Sequence, residues 1–218
     1  EIYTGEDTLS LHDALPILTS EVTKAVQVAA NATATRELLI LTARRLFTEQ
    51  GFFNTGTEQI VREAGVTRGA LYHHFGNKKL LFLAVFHAVQ QAMGESSASA
   101  RPSLNAQQRL ESGLIGFIDS STKPEIQRII LIDGPAVLGW QTWQELEEGY
   151  GLGAIQRLLE AAIAEKSLPD QPVELLAHLL LASVDKAALY VANAQDPIQA
   201  RELAVSAMRS LIEGMFRK

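Results

Sequence analysis

From residue 35 onward the apolar positions recur with a helical period, and no run alternates with the period of two that a half-buried strand requires. Leu39, Ile40, Ala43, Leu46 and Phe47 share one face of a first helix, with Thr35 as its predicted N-cap and Gly51 as the left-handed residue that stops it. Thr55-Gly56-Thr57-Glu58 has the Ser/Thr-x-x-Glu form of a capping box and predicts a short helix carrying Ile60 and Val61, closed by Gly65. Thr67 caps a third helix of about two turns, which ends near Gly76. Asn77 caps a fourth, with Leu80, Leu81, Ala84, Val85 and Ala88 on one side and continuing towards Met93. A stretch rich in Ser, Ala and Pro over 94–105 separates this region from a second. There, helices are predicted over 106–120, 124–133, 135–148, 152–166, 173–194 and 197–217, with a Gly-rich turn over 149–153.

The pattern predicts an all-α chain. An N-terminal three-helix unit over 35–80 precedes a larger helical unit over 81–218. Residues 1–34 form a tail, within which 18–34 is rich in Ala, Val and Thr and fits a weak helix or an arm. Residues 1–17 carry no sustained period and lack the basic start of a signal peptide. Residues 12–17, His-Asp-Ala-Leu-Pro-Ile, can be back-translated to a string resembling the end of a common sequencing adaptor, so 1–17 is read as foreign to the fold.

Composition and charge bear on this picture in three places. The chain has no cysteine, which removes disulfide and thiolate chemistry and fits a cytoplasmic protein. No run approaches eighteen uncharged apolar residues, so no membrane span is expected. The net charge of −6 argues against a nucleic-acid partner until its distribution is examined. Residues 1–34 hold one Lys against five acids, 35–94 hold seven Lys and Arg against four Glu, and 95–218 hold eleven against sixteen. A segment of net +3 thus sits inside an acidic protein, and the local field is what steers a polyanion.

The basic segment has the parts of a helix-turn-helix, with 57–64 as its first helix and 67–75 as the recognition helix. Thr67 offers a cap and a hydroxyl at a helix N-terminus that favours phosphate. Arg68 carries the bidentate fork suited to guanine, Gly69 and Ala70 let the backbone approach the groove, and Tyr72 and His73 extend to phosphate or base edge. Lys78 and Lys79 are placed as phosphate clamps, whereas Leu71 and Phe75 face inward. Short helices joined by a Gly-containing turn also occur in all-α proteins that bind no nucleic acid, so spacing alone leaves both readings open.

The run over 35–84 resembles the N-terminal domain of the TetR family of repressors. The matching residues are Thr35-Arg36-Glu37, Ala43-Arg44-Arg45-Leu46-Phe47, Gly51-Phe52, Thr55, Ile60, the unbroken run from Glu63 to Phe75, and Asn77-Lys78-Lys79-Leu80-Leu81. The resemblance implies that Thr55, Thr67, Arg68, Tyr72, His73 and Lys78 or Lys79 contact a DNA operator, with His74 packed beside Phe75. Gly56, Thr57, Val61, Leu38 and Leu41 depart from the family pattern and bear on helix angles.

The same resemblance implies a C-terminal domain that forms a homodimer and binds a small-molecule effector. Residues 173–194 (Leu176, Leu179, Leu180, Ser183, Ala187, Tyr190) and 197–217 (Leu203, Ala207, Ser210, Leu211, Met215) suit a four-helix dimer interface. Phe117, Leu131, Trp140, Trp143, Tyr150 and His178 are the candidate pocket residues, with Asp185 seven after His178 on one helical face. Each aromatic can equally be core. An enzyme or a helical ligand-binding module without DNA affinity is the alternative. No His-x-x-x-His, phosphate loop or nucleophile elbow accompanies these residues, so no catalytic residue, metal or cofactor is assigned.

Overall fold

A computed structural model of the chain describes residues 11–97 and 104–216, and the side chains of 26–94 and 104–216. The start of the predicted tail (1–10) and the centre of the 94–105 stretch lie outside the described residues. Among the described residues all regular structure is helical: α1 Leu11–Gln50, α2 Thr57–Glu63, α3 Arg68–Phe75, α4 Lys78–Ser97, α5 Ala106–Ser120, a π-helical segment Ile126–Asp133, α6 Gly134–Leu138, α7 Trp140–Ala164, α8 Val173–Ala192 and α9 Pro197–Phe216.

Several local rules act as read. Gly51, Gly65 and Gly76 take positive φ where their helices end. Thr67 Oγ1 accepts from Ala70 N–H at 3.2 Å, and Asn77 Oδ1 accepts from Leu80 N–H at 2.9 Å. Asn105 and Gln108 close a reciprocal capping box on α5.

Three readings are corrected. Thr35 is no N-cap: α1 runs on through it, and its hydroxyl donates to the Asn31 carbonyl at 2.8 Å. The Ala-rich stretch before it contains no Gly to stop a helix. The box predicted at 55–58 does not form. Gly56 is the N-cap without a side-chain bond, and the Thr55 hydroxyl turns back to the Gly51 carbonyl at 2.8 Å. Residues 149–153 are not a turn but the middle of α7, and the break falls at Gly139, with φ 92°. A Cβ on Gly151 would stand 2.8 Å from Leu181 Cδ1, so this glycine permits a close crossing of α7 and α8.

Two apolar clusters hold the molecule. One joins Leu39, Leu46, Phe47, Ile60, Leu71 and Phe75 of the N-terminal helices through Phe82 and Phe86 of α4 to Ile129, Ile130 and Trp143. The other is the bundle of α5, α7, α8 and α9, built on Leu110, Ile118, Leu159, Leu180, Val184 and Met208. By length and composition α8 could cross a membrane (mean hydropathy 1.5). Asp185 and Lys186 interrupt it, however, and one face is buried against α5, α7 and α9.

Polar ties bind the N-terminal helices to the π-helical segment. Asp133, 2% exposed, accepts from Phe52 N–H at 2.7 Å and lies 3.3 Å from Arg128 Nε. Glu125 grips Arg44 with both oxygens, at 2.5 and 2.6 Å. A Cβ on Gly51 would stand 1.8 Å from Arg128 Nη2, so a side chain there evicts the guanidinium. Gly51→Ala therefore loses about 1–2 kcal/mol for its left-handed φ, and about 1 kcal/mol or more for displacing Arg128. Gly65→Ala is the control: its φ is 66° and its Cβ would meet nothing within 4 Å, so only the first loss applies. Urea denaturation of both variants measures the difference.

Candidate nucleic-acid interface and ligand cavity

α3 lies across the surface with Leu71 and Phe75 inserted into the N-terminal core. That anchoring turns Thr67, Arg68, Gly69, Tyr72 and His73 to solvent, with Ala70 and His74 half-buried. The first turn thus offers a polar, small-residue surface at the positive end of a helix, the shape and field a major groove accepts. Arg68 Nη1 lies 2.8 Å from Glu58 Oε1, and its guanidinium sits 5.4 Å from the centre of the Tyr72 ring. His74 stands beside Phe75, ring centres 6.3 Å apart.

Two of the predicted DNA contacts have internal partners. Thr55 is 1% exposed, with its hydroxyl bonded to the Gly51 carbonyl. Lys78 Nζ donates to the carbonyls of Phe52 and Thr55 at 2.6 and 2.7 Å and sits 4.0 Å from the centre of the Phe52 ring. Burial pushes its pKa down, offset by the charge of Asp133. The ammonium braces the 52–55 turn. Lys79, its neighbour, stays exposed.

Between α4, α5, α7 and α8 lies a cavity of about 410 Å³. Phe117 and Tyr150, two of the six candidate pocket residues, line it. The other four candidates lie elsewhere. Leu131 and Trp143 are buried core, and the Trp143 indole donates to the Ile130 carbonyl at 2.9 Å. Trp140 is exposed against Trp143, and His178 Nδ1 sits 3.8 Å from Glu148 at the surface. Residues 140, 143 and 150 share one side of α7 and differ along its axis: Trp140 and Trp143 stand at its start against the first apolar cluster, and Tyr150, about 10 Å further on, reaches the cavity.

The cavity's polar wall was missed. Gln90 of α4 and Glu147 of α7 are both buried and line it, and the Gln90 amide donates to Glu147 Oε1. The signal was present, because Gln90 follows Phe86, and Glu147 follows Trp143, by one helical turn on buried faces. Burial, then the charge of Asp185, pushes the Glu147 carboxyl up to about 8. Burial, then Glu148, pushes Asp185 up to about 7. At the exposed edge His87 Nδ1 and the Tyr150 hydroxyl lie 2.6 Å apart.

Comparison with known proteins agrees with this geometry. Residues 39–85 match the family described as bacterial regulatory proteins, tetR family, and residues 107–215 match the tetracyclin repressor-like C-terminal domain. The chain is 28% identical over 151 residues to the transposon Tn10 TetC protein of Escherichia coli, covering 69% of this chain and 76% of that protein. A TetR-family transcriptional regulator from Pectobacterium atrosepticum superposes with a TM-score of 0.77 at 31% identity, covering 87% of this chain and 97% of that one. A putative tetR family regulator from a Shewanella species gives a TM-score of 0.60 at 26% identity, over 84% and 99% of the two chains.

The raised carboxyls make stability depend on pH with a definite sign. Glu147 moves from 4.5 to about 8 and Asp185 from 3.8 to about 7, so the folded chain holds more protons than the unfolded one in between. Their contribution is complete below the lower values and is lost as pH rises through the upper ones. Melting temperature therefore falls from about pH 5 to about pH 8, and Glu147→Gln flattens the upper part of that fall. Thermal melts across that range read both effects.

Proposed function

Because this chain belongs to the TetR family of DNA-binding transcriptional regulators, we propose that it acts in the cytoplasm as a homodimeric repressor, released from a palindromic operator by a small molecule held in the cavity. The observation that carries this reading is the course of α4. Its first residue, Lys78, braces the turn ahead of α2, and Gln90, Met93 and Gly94, about 18–24 Å further on, form a wall of the cavity. A ligand that displaces that wall acts on the same rod that seats the DNA-binding helices.

On this reading residues 35–80 are the DNA-binding unit and 81–218 the effector and dimerisation unit. Thr67, Arg68, Gly69, Ala70, Tyr72, His73 and Lys79 face the operator. Arg68, Gly69 and Ala70 read bases, while the others fix register on phosphates. Residues 173–194 and 197–217 supply the dimer face. Leu175, Leu179 and Tyr190 stand exposed along one side of α8, and Leu203 and Leu211 along α9, an apolar stripe that a monomer leaves in water. A twofold dimer sets two copies of α3 about one turn of DNA apart, roughly 34–36 Å. The effector works by binding one spacing better than the other, since equal affinity for both shifts nothing. The chain needs neither cofactor nor catalytic residue for this and is not an enzyme.

Fluorescence anisotropy on the DNA upstream of the protein's own gene tests the reading. Binding weakens steeply with salt, and Arg68→Ala costs about 1–3 kcal/mol while relaxing sequence preference. Lys79→Ala weakens all sequences alike and lowers the salt slope by about 1, whereas Lys78→Ala leaves the slope unchanged and lowers the melting temperature. The double change Leu179→Glu with Leu211→Glu gives a monomer in light scattering and loses operator affinity. Salt-insensitive or absent binding at every upstream segment overturns the reading.

A further inference from the structure

The cavity wall and the helix behind it hold more buried acid than their surroundings pair. Glu147 is 3% exposed and Asp185 9%, and among the described residues no salt bridge reaches either. Glu147 accepts from the Gln90 amide. Asp185 follows the cavity-lining Val184 on α8, and its Oδ1 is fully buried with no hydrogen-bond partner among the described residues. The two carboxyls are close enough for the charge of Asp185 to act on Glu147.

The charged and titratable groups on the surrounding helices do not relieve them. On α4, His87 is engaged with Tyr150 of α7. Glu148 of α7 and His178 of α8 face each other outside the cavity, and Lys186 is exposed. Arg157 lines the cavity but lies ten residues, about 15 Å, along α7 from Glu147, and is exposed to solvent there. The remaining wall is aliphatic or aromatic, including Leu110, Leu114, Phe117, Ile155 and Leu158.

Resting on the reading of this cavity as the effector site, we infer that the effector is an amphiphilic cation, with a protonated amine or ammonium head against Glu147, backed by the charge of Asp185 behind the wall, and an apolar body along α5 and α7. A buried carboxylate without a counter-charge is costly, and a cation brought into the same low-dielectric space removes that cost. An anion adds a further unpaired negative charge to the same low-dielectric space. A neutral ligand gains the apolar contacts and at most a hydrogen bond from the acid. Because Glu147 holds its proton near neutral pH, a bound cation drives that proton from the carboxyl oxygen to solvent, and affinity rises with pH up to about 8.

Three probes with one apolar body and different heads test this on the full chain by calorimetry near neutral pH: phenylbutylamine, phenylbutanol and phenylbutyrate. The amine binds at least about tenfold more tightly than the alcohol, and the butyrate binds more weakly than both. Heats in buffers of different ionisation enthalpy show proton release for the amine alone. Glu147→Gln, close in size to the parent, removes the preference for the amine over the alcohol and the proton release that accompanies it. Equal binding of the alcohol or the butyrate, or a preference that survives Glu147→Gln, overturns the cation while leaving the cavity as the effector site. If no probe binds at millimolar concentration, the cavity reading and the cation both fall, and operator binding stands as measured separately.

Discussion

The backbone N–H of Phe52 points into the protein and ends on a carboxylate 81 residues away, Oδ2 of Asp133. The carboxylate is withdrawn from water there, and a hydrogen bond to a charged group is worth about 1.5–3 kcal/mol. The same oxygen receives Arg128, and Lys78 contributes its charge from the other side of the turn. Asp133 closes a stretch of π-helix, whose wider turn occurs mostly where function requires an irregular register. The position of α2 and α3 is thereby referred to the helical domain through one acid and the turn it holds.

How far the sequence disclosed this follows from the range of each interaction. The caps at Thr67 and Asn77, and the left-handed glycines at 51, 65 and 76, were legible because each is decided within four residues. The exposed face of α3 was legible because Leu71 and Phe75 mark its buried side. For the converse reason the internal partners of Thr55 and Lys78 were not legible. These partners, the carbonyls of Gly51, Phe52 and Thr55, become available only once α1 and α4 have packed around the turn. A lysine pair looks the same on paper whether one ammonium turns inward or not.

The glycines of α7 mark a similar limit. Three of them within five residues have the composition of a turn, yet Gly151 serves the approach of Leu181. A glycine that breaks a helix and one that lets two helices touch have the same local sequence, and a neighbour thirty positions away decides between them. Moving the break to Gly139 sends Trp143 into the core under α4 and brings Glu147 to the cavity wall. The cavity lies along the middle of α7 and the tryptophans stand at its start, a separation that the misplaced boundary concealed.

Charge is used oppositely in the two functional regions, which is why the total of −6 says little about either. At α3 the groups are exposed, so their pairing is cheap to break. Arg68 and Glu58 each leave 64% of the side chain in water, and such a pair contributes little that a phosphate or a guanine edge could not replace. Glu58 keeps the guanidinium near Tyr72 without holding it back. Around Glu147 the low dielectric makes every unpaired charge expensive, and the protein answers by keeping the acid protonated. A ligand that supplies the missing charge changes the protonation and the contacts of Gln90 together, and Gln90 belongs to the helix whose first turn braces the DNA-binding unit. The electrostatic imbalance of the cavity and the mechanical continuity of α4 are then two aspects of one device.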